Sequence, residues 1–79
     1  MITVHRAHGL RFVIFVDDHE PAHVHVFGDG EAKINLAGAA GEPELIFAIG
    51  MTRADIRRAM QVVKEQQAYL LQRWREIHG

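Results

Sequence analysis

Between Arg11 and Leu36 the chain alternates apolar and polar positions with a period of two. In RFVIFV, Phe12, Ile14 and Val16 point to one side while Arg11, Val13 and Phe15 point to the other. In HVHVF, Val24 and Val26 oppose His23, His25 and Phe27. In EAKINL, Ala32, Ile34 and Leu36 oppose Glu31, Lys33 and Asn35. Such alternation, rich in β-branched and aromatic residues, predicts half-buried antiparallel strands. MITVHR reads as a strand before them and ELIFAI as a fifth after them, with AHG and GDG as turns and LAGAAGEP as a surface loop.

The GDG turn restricts the register. A two-residue loop at Asp29-Gly30 pairs Val26 with Lys33 and mixes an apolar residue with a charge on one face. A three-residue loop pairs Val26 with Ala32, Val24 with Ile34 and His25 with Lys33, which keeps both faces consistent. The three-residue loop is expected, with a glycine in its left-handed position.

From Thr52 the period becomes helical. Thr52 and Asp55 resemble a capping box, and Ile56, Met60, Val63, Gln67, Leu70, Trp74 and Ile77 recur at spacings of four and three. The expected fold is therefore α+β: an antiparallel meander of four to five strands with one long C-terminal helix on one face, a single domain over residues 1–79. One helix is ~10–12 Å wide, whereas five strands make a sheet of roughly 24 Å. Val13, Phe15, Phe27, His23 and His25 then share a face that no helix reaches, and they read as a contact surface. A straight helix of about 26 residues runs roughly 39 Å, about twice a six-residue strand. Its C-terminal half, with Leu70, Leu71, Trp74 and Ile77, is expected to overhang the sheet and bury itself in a second copy, as a homodimer.

Composition adds three constraints. A chain of 79 residues buries only ~60–65% of its unfolded surface, and without cysteine it has neither disulfide nor thiolate metal site to supplement its core. Association with another chain is the remaining common remedy. The net charge of −1 gives no field for nucleic acid. The charge is nevertheless divided: residues 1–50 carry three basic and seven acidic side chains, residues 51–79 six basic and three acidic. This split suits orientation of a partner, or is ordinary surface charge. No apolar run is long enough to span a bilayer, and the strand-like opening lacks a signal-peptide layout, so a cytoplasmic protein is expected.

The candidate chemistry sits in HEPAHVHV, residues 19–26. His23 and His25 are two apart on a strand, so both imidazoles leave one face and can chelate one ion. His19 lies just before the strand, and Asp17 or Asp18 can supply an oxygen. Zinc or nickel would suit such a set. A second possibility is metal-free ribonuclease chemistry, with His23 and His25 as acid and base and Lys33 steadying the phosphorane. The bland alternative is that these residues form the polar side of a strand, with Asp17-Asp18 as turn chemistry.

The layout R-x-x-G-x-R-F-x-x-x-x-x-D-x-x-P-x-H-V-H-V, followed by a glycine turn, G-E-A-K and a helix ending in tryptophan, resembles a small bacterial family called domain of unknown function 4160. The matching residues are Arg6, Gly9, Arg11, Phe12, Asp18, Pro21, His23, Val24, His25, Val26, Gly30, Glu31, Ala32, Lys33 and Trp74. Ala22 stands where a second proline is frequent, and AIGM where Asn-x-Gly-Phe is usual. The resemblance implies a short protein encoded beside a second small protein, an arrangement similar to toxin–antitoxin pairs. The expected function is accordingly a cytoplasmic interaction module acting through the histidine-bearing face on a small co-encoded protein. The alternative is a metal-binding or histidine-dependent hydrolase or ribonuclease using His23 and His25.

Overall fold

A computed structural model describes residues 1–79. Five strands come first: β1 (Ile2–Ala7), β2 (Leu10–Ile14), β3 (His23–Phe27), β4 (Glu31–Asn35) and β5 (Glu44–Ile49). They form one antiparallel sheet in sequence order, a simple meander. Two helices follow, α1 (Arg53–Glu65) and α2 (Gln67–His78).

Alternating side chains decide which face the helices cover. Phe12, Ile14, Val24, Val26, Ala32 and Ile34 belong to one core cluster with Ala59, Val62 and Val63 of α1 and Leu70 and Trp74 of α2. The β3–β4 register pairs Val26 with Ala32, Val24 with Ile34 and His25 with Lys33, as the three-residue loop requires. The reason for glycine in that loop differs from the expected one. Neither Gly28 nor Gly30 has a positive φ; a Cβ on Gly30 would collide with the backbone at Ile49 and Gly50, where β5 ends. The β1–β2 turn is the one built from left-handed residues, His8 at φ 55° and Gly9 at φ 73°. That suits a two-residue hairpin between paired Ala7 and Leu10.

The helical segment is two helices rather than one. Thr52 caps α1 by accepting the Asp55 N–H at 3.1 Å, and the chain leaves helical geometry at Gln66 (φ −104°, ψ 15°). No proline or glycine causes the break. The Gln67 side-chain amide instead donates to both the Leu36 and Gly41 carbonyls, each at 2.8 Å, and ties the start of α2 to the β4–β5 loop. The Tyr69 hydroxyl then donates to the Val4 carbonyl of β1 at 3.1 Å. So α1 lies over β4 and β5, while α2 packs on the same face and reaches β1 through Tyr69. A straight helix of ~39 Å would exceed the longest dimension of the molecule, 33 Å.

This bend removes the expected overhang. Leu70 and Trp74 are 0% and 3% exposed, and Ile77 packs against the same core. Covered within their own chain, Leu70 and Trp74 do not present the surface expected to bury in a second copy. Val13, expected on the open face, is also fully buried. The exposed apolar residues lie elsewhere: Leu45, Ile46 and Ile49 on edge strand β5, Val16 beyond the end of β2, and Met1 and Tyr69.

Two substitutions test this packing by urea denaturation. Ile14→Ala, in the core, should lower stability by about 2–5 kcal/mol. Gln67→Ala should cost about 1–3 kcal/mol, because the part-buried Leu36 carbonyl loses its donor. An unchanged midpoint in Gln67→Ala would show that the bend is held by something other than this amide.

Candidate functional site

The chain between β2 and β3 is shaped by one carboxylate. The Asp18 N–H donates to the Phe15 carbonyl at 3.1 Å, and Asp18 Oδ2 accepts the Phe15 N–H at 3.1 Å. This is the turn chemistry expected of an aspartate after a strand. The same Oδ2 also faces the histidines: His23 Nε2 lies 3.2 Å away and His25 Nε2 4.0 Å away.

Each imidazole has an acceptor beside its other nitrogen. His23 Nδ1 is 2.9 Å from the Pro21 carbonyl. A carbonyl only accepts, so Nδ1 carries a proton, and Nε2 is the nitrogen that faces the Asp18 carboxylate. His25 Nδ1 is 3.5 Å from Glu31 Oε2, too long for a good hydrogen bond, and this buried atom has no other partner. Burial is the largest influence on His25 and holds its pKa below the ordinary histidine value. The Asp18 charge opposes that shift, His23 adds to it, and Glu31 opposes it.

His23 is 4% exposed. Its ring lies 5.1 Å from that of Trp74, which stacks on His78 at 3.8 Å and donates its indole N–H to Glu20 Oε1 at 3.1 Å. Val16, Asp17, Asp18, His19, Glu20, Trp74 and His78 line a cleft of about 570 Å³. Asp18 thus belongs to both the histidine cluster and the cleft.

The remainder of the helix-free face follows from the register. Val13, His25, Lys33 and Phe47 lie in one row across β2 to β5. Phe15 and Phe27 flank His25, with ring centroids 4.9 and 6.4 Å from it, and Arg11 lies over the Phe27 ring. Phe15, Phe27 and Phe47 are half-buried.

Of the sequence candidates, Asp18, His23 and His25 converge, with one ligand-type atom from each lying within 4.8 Å of the others. His19 stays outside this group, exposed on the cleft. Lys33 lies opposite His25 in the register. The sequence reading missed Glu31, although the His25–Lys33 pairing puts it diagonally across from His25 on the same face. It also missed the contact of Trp74 with His23, which depends on the bend at Gln66.

Fold and cluster together define a small α+β meander domain with a carboxylate and two imidazoles gathered where β2 leaves the sheet and β3 enters it. The chain belongs to the family described as Domain of unknown function (DUF4160), whose model matches residues 9–75. No curated protein and no solved structure matches it.

The lowered pKa of His25 fixes the sign of a pH effect. Below about pH 6.5, the ordinary histidine value, the unfolded chain takes up a proton at this position more readily than the folded one. The metal-free protein should therefore lose stability as pH falls from that value toward the folded pKa. Urea midpoints at neutral and mildly acidic pH should show a smaller decline in His25→Gln than in the native chain. Equal declines in both would contradict the assignment.

Proposed function

We propose that this chain is a small cytoplasmic interaction module, one component of a bacterial two-gene pair of toxin–antitoxin type, which binds its co-encoded partner through the helix-free face of the sheet. The observation that carries the reading is the set of half-buried Phe15, Phe27 and Phe47 on the face opposite the core cluster. Arg11, Glu31, Lys33 and Asn35 are interspersed with them, each half-buried. Aromatic anchors with polar neighbours are the usual anatomy of a protein interface. The two-gene context comes from the family resemblance.

Edge strand β5 adjoins this face and exposes Leu45, Ile46 and Ile49. A homodimer, if formed, would use this edge rather than α2, because an unpaired strand edge is a template for another chain. Hydrolysis of a phosphodiester by His23 and His25 is the less favoured reading. Asp18 and Glu31 stand beside those rings, and their charge opposes an anionic substrate.

Calorimetry against the co-encoded protein tests the reading. Phe15→Ala and Phe27→Ala should each weaken binding by on the order of 1–2 kcal/mol or more while leaving the helix-side core intact. Normal binding by both, with loss of binding on replacing Arg57 and Lys64 of α1, would put the functional surface on the helices.

A further inference from the structure

We propose that Asp18, His23 and His25 form a binding site for one divalent transition-metal ion of the zinc or nickel class. Three independent features of the geometry point there. Tetrahedral bonds of ~2.1 Å place neighbouring ligand atoms ~3.4 Å apart. Asp18 Oδ2 lies 3.2 Å from His23 Nε2 and 4.0 Å from His25 Nε2, two separations that bracket this spacing. One ligand atom from each of the three residues lies within 4.8 Å of the others, so the set would contract around an ion.

The second feature is the support behind each ring. A metal-bound histidine ordinarily donates its other N–H to a carbonyl or carboxylate, which fixes the tautomer and aims the free nitrogen at the metal. His23 Nδ1 has the Pro21 carbonyl at 2.9 Å, which leaves Nε2 facing Asp18. His25 Nδ1 faces Glu31 Oε2 at 3.5 Å, longer than a good hydrogen bond, and a metal on its Nε2 would put the ring proton on the nitrogen beside that carboxylate.

The third is the burial of the contact. Asp18 Oδ2 and His23 Nε2 face each other at 3.2 Å in a residue only 4% exposed, where either a proton on Nε2 or a cation between the two atoms satisfies both. Two imidazoles and one carboxylate suit zinc or nickel, whereas calcium and magnesium favour sets made only of oxygen. Three protein ligands leave a coordination position for water or a fourth donor from outside the chain.

The test is calorimetric titration of the full chain, prepared without a histidine tag, with zinc chloride and then nickel, calcium and magnesium chlorides. Zinc should bind at one ion per chain and raise the melting temperature; calcium and magnesium should do neither. His25→Gln and Asp18→Asn should each weaken zinc binding by at least about tenfold, and Glu31→Gln by about tenfold, while His19→Gln leaves it unchanged. His23 packs on Trp74, so His23→Gln risks the fold. The deciding variant is therefore His25→Gln, whose metal-free melting curve shows whether it folds. Absence of zinc binding by the native chain overturns the proposal. So does native affinity in folded His25→Gln, which would assign the ion to other histidines.

Discussion

The seating of Trp74 is the contact on which the rest of this end of the molecule depends. Its ring joins the core, lies against His23 and stacks on His78, and its N–H reaches Glu20 in the chain between β2 and β3. One side chain therefore couples α2, the β2–β3 connection and the start of β3. Without it His23 would be a solvated residue at a strand end, free to choose its rotamer. With it the imidazole has one orientation, Nδ1 on the Pro21 carbonyl and Nε2 toward Asp18.

That seating goes with the break of the helical segment at Gln66. The bend also accounts for which parts of the fold were legible in the sequence. Period-two alternation gave the strands, and the demand for consistent faces gave the β3–β4 register, because a one-residue slip would exchange every buried and exposed side chain. Asp18, His23 and His25 were legible as candidates from their chemistry and spacing. The bend was not, because no helix breaker marks it. It coincides with a long-range pair of hydrogen bonds from Gln67 to Leu36 and Gly41, and Gln67 reads in sequence only as a polar interruption of an apolar stripe. The burial of Leu70 and Trp74 follows from the bend and was hidden for the same reason. Val13 is a different case: its face was assigned correctly by parity, but alternation does not report how far its neighbours close over it.

The two faces of the sheet thus do different work. One is covered by both helices and contains the core. The other carries Phe15, Phe27, Phe47 and Lys33 around His25, and it meets the Asp18 cluster at the β2–β3 end. His25 belongs to both, since its ring adjoins Phe15 and Phe27 while its Nε2 faces Asp18. A change at the cluster that reorients His25 would therefore be felt directly on the aromatic surface.

The most direct measurement is nitrogen NMR of the imidazoles in protein without a histidine tag, before and after one equivalent of zinc. A built site requires Nε2 of both His23 and His25 to change on zinc addition while Nδ1 of His23 keeps its proton toward the Pro21 carbonyl. Changes confined to His5, His8, His19 or His78, or ligation through Nδ1 of His23, would contradict it and leave the cluster as the polar lining of a strand.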